Sequence, residues 1–247
     1  TSVKVGTSIE VNETEDSEEG AWIFETEHFQ FHSNAQLGKN VSSEFARLFE
    51  AVYAALDQTP LPLLNPEAEG LRVVRLFETN DQYITAGGLK GSAGCFIGQS
   101  KEVLVPLDSL GVKRVGKRFS IESREENQTL IHEIVHQLTW HWPLGQWWTE
   151  GIAEFFAGAT YSPGKIKFTS HGNSLREYLK EKKGVVDDEY TARNLMGILS
   201  ISNEEWNNQV AGKSPDGIRN YATAAILFYY FCHMDAEKNS GPMLAHL

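Results

Sequence analysis

The sequence predicts an α+β fold: a front lobe of mixed sheet and helix over 21–141 and a helical back lobe over 142–247, together one domain. Three observations predict it. His28-Phe29-Gln30-Phe31-His32 alternates polar and apolar with the period of a half-buried strand. Asn40 to Leu56 carries Val41, Phe45, Leu48, Phe49, Val52, Tyr53 and Leu56 at helical spacing. From about Ser123 onward the helical period dominates. With 247 residues, 41% of them hydrophobic, the chain can close a core of that size.

Taken in order, residues 1–20 end in an acidic run from Glu10 to Glu19 with one valine, which predicts a flexible acidic tail because so little apolar surface cannot offset ordering entropy. Ala21-Trp22-Ile23-Phe24 begins the ordered part. His28 and His32 share the polar face of their strand, about 13 Å apart, too far to hold one metal ion, and read as solvent-facing. Thr59-Pro60 closes the first helix, and 61–70 is a proline-rich connection. Leu71 to Phe77 reads as a strand, Asp81 to Ile84 as a short helix. Ala86 to Gly94 is glycine-rich without the Gly-Lys-Ser/Thr ending of a phosphate loop, so it reads as a mobile turn. Cys95-Phe96-Ile97 and Val103-Leu104-Val105 read as paired strands, and Lys113-Arg114 with Lys117-Arg118 as a basic solvated loop. Helices are expected at roughly 123–141, 147–159, 172–182, 203–209 and 217–237.

The net charge of −11 argues against a nucleic-acid partner and against adsorption on anionic lipid. No apolar run approaches the roughly 20 residues of a membrane span. Cys95 and Cys232 are too few for a disulfide framework and read as small buried side chains, which leaves the redox compartment open. The chain starts at Thr1 rather than Met, as a trimmed chain would, and ends without a clear closing element, leaving room for a longer parent.

Chemistry concentrates in Thr129-Leu130-Ile131-His132-Glu133-Ile134-Val135-His136. On a helix, His132 and His136 sit one turn apart on one face, so both imidazoles reach a single metal ion. Glu133 is rotated by about 100° from His132, where a base stands to accept a proton from water activated by the metal. Trp142-Pro143-Leu144-Gly145 then turns the chain into Trp147-Trp148-Thr149-Glu150-Gly151-Ile152-Ala153-Glu154. Glu150 and Glu154 share a helical face in an apolar segment, and buried carboxylates need compensating charge. A divalent metal supplies it, with Glu150 as third ligand and Glu154 accepting the N–H of a ligating imidazole.

His-Glu-x-x-His followed by Glu-Gly-x-Ala-Glu resembles the gluzincin metallopeptidases, in particular the peptidase MA-like group, most strongly over about 129–156. The resemblance implies a zincin-like fold, one zinc ion held by His132, His136 and Glu150, Glu133 as general base and Glu154 as the supporting carboxylate. It also implies a peptide or protein substrate lying along an edge strand above the metal helix, for which Lys101 to Leu107 is the candidate. Tyr221, in Arg219-Asn220-Tyr221 at the start of a long apolar helix, matches the tyrosine that donates to the oxyanion in related gluzincins. Thr149 stands where thermolysin-like members carry asparagine. An extracellular or cell-envelope location follows by resemblance, with a cytoplasmic one left open; no oligomeric state is indicated.

The expected function is therefore zinc-dependent hydrolysis of peptide bonds. Two alternatives stay open: a deformylase-like amidohydrolase with Cys95 as ligand in place of Glu150, and a catalytically inert zinc-containing binding or scaffold domain.

Overall fold

The computed structural model describes residues 2–4, 9, 11–16, 20–59, 61–64, 70–121, 127–183, 194–212 and 214–234. Its elements run β1 (Ser2–Lys4), β2 (Thr14–Asp16), β3 (Ala21–Glu25), β4 (Phe29–Ser33), α1 (Lys39–Asp57), β5 (Arg72–Phe77), α2 (Asn80–Thr85), β6 (Cys95–Ile97), β7 (Glu102–Pro106), a 3-10 turn (Leu107–Leu110), β8 (Val112–Val115), β9 (Arg118–Ile121), α3 (Asn127–Thr139), α4 (Gln146–Ala157), β10 (Thr160–Ser162), β11 (Lys165–Lys167), α5 (His171–Lys183), α6 (Leu195–Ser200), α7 (Asn203–Ala211) and α8 (Pro215–His233). The fold is α+β.

The main sheet has the order β2-β3-β4-β5-β7-β6, with β4–β5 and β5–β7 parallel and the remaining pairs antiparallel. Alternation along β4 buries Phe29, Phe31 and Ser33. Phe29 and Phe31 meet Phe49 of α1 edge-on, with ring centroids 5.2 and 5.0 Å apart. Such pairing adds to the area term that drives burial of a phenylalanine. Helices α1 and α3 contribute to this core, while Tyr83 of α2 packs with Cys95 and Leu104 in a separate cluster. Among the described residues no helix is long and apolar enough to cross a membrane.

Several expectations need correction. The acidic N-terminal stretch is not a loose tail over its described residues: β1 pairs with β11, β2 pairs with β3, and Val3 and Val11 are buried. Glu13 reaches back to accept from the Gly38 N–H (3.1 Å) and the Ser42 hydroxyl. It thereby satisfies the start of α1, which has no side-chain cap of its own. His28 is not simply solvated, since its Nδ1 lies 2.7 Å from Glu50 Oε2 and its ring stacks on Tyr53. The basic segment is the hairpin β8–β9, turned at Gly116 with φ +64° and anchored by buried Val112 and Phe119. The back lobe also contains the β10–β11 hairpin and α6, which the helical period did not reveal. Residues 122–126 and 235–247, which the sequence reading assigned in part to helices, lie outside the described residues.

Lys101 to Leu107 is not an edge strand. Within β7, Val103–Pro106 pair with β5 on one side and Glu102–Leu104 with β6 on the other, so the sheet ends at β6. Both runs are short and apolar, and apolar character alone does not tell an inner strand from an outer one.

Candidate metal centre

Helix α3 buries Leu130, Ile131, Ile134, Val135 and Leu138 completely, at the spacing of one helical face. His132, Glu133 and His136 fall on its half-buried side. Gln137, one residue on, donates from Nε2 to Val73 O (2.8 Å) and Lys101 O (2.9 Å), which fixes the helix to the sheet beside it. A turn follows in which the Trp142 indole N–H donates to Leu63 O at 3.1 Å. It brings α4 back against α3 and places Glu150 opposite the two histidines.

The three side chains converge. His132 Nε2 is 2.9 Å from His136 Nε2, and Glu150 Oε2 is 3.2 Å from the former and 3.3 Å from the latter. Two imidazole nitrogens and a carboxylate oxygen form an almost equilateral triangle. Ligand atoms bound tetrahedrally at 2.0–2.1 Å stand about 3.3 Å from one another, so one zinc-sized ion over this triangle reaches all three. Glu150 Oε2 is buried against the two imidazole nitrogens. Among the described residues this is the one group of three or more His, Cys, Asp or Glu side chains gathered closely enough to hold a metal.

The surroundings orient these side chains. Glu154, fully buried, places Oε1 3.3 Å from His132 Nδ1. That carboxylate favours the imidazole proton on Nδ1, and a bound metal would take the lone pair of Nε2. Burial works against a charged His132, yet Glu150 and Glu154 outweigh it and push its pKa up to about 10. Burial likewise opposes ionisation of Glu150, but His136 and His132 hold its carboxyl well below the usual range. Two buried carboxylates beside the histidines thus favour positive charge there, which a divalent ion would supply.

Glu133 follows His132 on α3, and its Oε2 accepts the backbone N–H of Phe96 on β6 at 2.9 Å. The edge strand therefore touches the expected base directly. Tyr221, in α8, has its ring 6.4 Å from that of His132 and 5.4 Å from that of Trp206. Burial and the neighbouring Glu150 raise its pKa, so its hydroxyl keeps its proton and remains a donor. Cys95 does not join the ligands: it packs with Tyr83 and Leu104, and burial pushes its thiol pKa up. Its β-sheet neighbour Phe96 packs instead with the main core that includes α3.

Three contributors were not foreseen from the sequence. Gln146 donates from Nε2 to Glu150 Oε1 at 3.0 Å; its i,i+4 spacing was the available signal. The Phe96 N–H is a backbone group and has no residue signature. Tyr178, buried on α5, interacts through its hydroxyl with Glu154; burial first, and then that carboxylate, raise its pKa. A separate cavity of about 670 Å³ opens beside Asn127 and Gln128 at the opposite end of α3 and is lined by none of these ligands.

Comparison with known proteins adds no family to this geometry: no family model matches the chain, and no curated protein is significantly similar to it.

Proposed function

We propose that this chain is a zinc-dependent peptidase of the gluzincin kind. The observation that carries the reading is the triangle of His132 Nε2, His136 Nε2 and Glu150 Oε2, with Glu133 following His132 on the same helix. His132, His136 and Glu150 would hold the ion, and zinc when bound supplies a Lewis acid that acidifies water and polarises a carbonyl.

The residues of the chain divide the remaining work. The Phe96 N–H restrains one oxygen of Glu133, leaving the other to take a proton from water and return it to the leaving amine. Glu154 keeps the His132 lone pair directed at the ion. The Tyr221 hydroxyl, a protonated donor on a ring 6.4 Å from that of His132, would donate to the carbonyl oxygen as negative charge grows there. An extended peptide is proposed to lie along β6, the true edge of the sheet, rather than along β7. The position of Cys95 disfavours the deformylase-like arrangement.

Digestion of a broad peptide library by wild type and Glu133→Gln, with metal content measured in parallel, tests the reading. Wild type is expected to cleave, to stop on chelation and to carry one zinc. Glu133→Gln is expected to keep the zinc and lose at least about 10²–10⁴-fold in turnover. A fully zinc-loaded wild type that cleaves nothing overturns the peptidase in favour of an inert binding domain.

A further inference from the structure

Of the two Glu150 oxygens, only Oε2 faces the histidines, at 3.2 and 3.3 Å. Oε1 accepts the Gln146 amide at 3.0 Å. Gln146 is the first residue of α4, and Gly145 begins that helix without any side-chain cap. The amide is thus directed forward along the helix to the carboxylate. An i,i+4 amide–carboxylate pair contributes little to helix stability, so its consequence lies at the carboxylate.

Zinc has no geometric preference of its own, and carboxylates bind it through one oxygen or two. A second Glu150 oxygen on the ion would take the position that water or substrate needs. A neutral N–H held on Oε1 opposes such binding by engaging that oxygen, without adding a charge that competes with the cation. We infer that Gln146 restricts Glu150 to a single ligating oxygen and so keeps a coordination position open. Gln146 is a positioning residue, acting through Glu150, and the inference rests on the metal reading above.

Gln146→Met keeps the length and the helix propensity but removes the donor; Gln146→Glu places a like charge against Oε1. Each is compared with wild type by cobalt(II) absorption and by zinc affinity in competition with a chelator, with the melting temperature of the metal-free chains as the control for folding. Wild type is expected to bind one cobalt with the strong visible absorption of a four-coordinate ion. Gln146→Met is expected to give the weaker absorption of a five-coordinate ion and about 10- to 100-fold weaker zinc binding, and Gln146→Glu a larger loss, at unchanged metal-free melting temperatures. Identical spectra and affinities in all three chains overturn the inference. A wild type that takes up no cobalt overturns it together with the metal reading. A variant-dependent spectrum in a chain that cleaves no peptide supports it and overturns the peptidase alone.

Discussion

His171 shows how much a single side chain conveys here. It is 3% exposed, its Nε2 sits 2.9 Å from Phe155 O, and its Nδ1 is buried without a hydrogen bond. Burial lowers its pKa to about 4; the Phe155 carbonyl opposes that shift and nearby His233 adds to it. The unfolded chain therefore binds more protons than the folded one between about pH 4 and pH 6.5, so stability rises with pH across that window and is lost as pH falls through it. Urea unfolding of wild type and His171→Phe at pH 4.5 and pH 7.5 checks this: the variant should show a clearly shallower acid dependence, and equal slopes would refute the assignment. The sequence placed this histidine at a helix start but gave no sign of its burial, because its cage of Phe155, Phe168 and Tyr229 comes from separate segments. His132 and His136 were legible for the opposite reason, since one helical turn relates them.

Among the elements, α4 is the hinge of the site, and Gly151 sets how closely α8 approaches it. A Cβ at Gly151 would stand 2.8 Å from Ala224 O, a backbone atom that moves only with its helix. Gly151→Ala is expected to cost roughly 1–3 kcal/mol, read as a lower urea midpoint, and to displace the segment carrying Tyr221. Helices α3, α4, α5, α7 and α8 were visible in the sequence because their apolar periods are long and local. The hairpins β8–β9 and β10–β11 were not, since strands of three or four residues carry too few alternations to stand out. Nor was the contact between Phe96 and Glu133, which joins residues 37 positions apart. Strand order, which misplaced the edge at Lys101 to Leu107, is likewise a property of pairing between segments.

For the whole molecule, the N-terminal stretch is structural. Val3 and Val11 are 4% and 3% exposed, and Glu13 satisfies the start of α1 from 25 residues away. Acidic composition suggested a solvated tail, but ladder hydrogen bonds and two valines suffice to hold its described parts once a sheet edge is present to receive them. A chain beginning at residue 17 is expected to lose roughly 3–6 kcal/mol of stability through those two valines alone. Chemical denaturation of the shortened and full chains measures it; coincident curves would restore the loose tail.

Gln137 has a wider consequence. Its side-chain amide grips the backbone of two different segments of the sheet while the preceding residue is one of the proposed metal-holding histidines. Any tilt of the sheet is thereby transmitted to the imidazole by a rigid lever one peptide unit long. Substitutions around Val73 and Lys101 are therefore able to shift His136 without touching it.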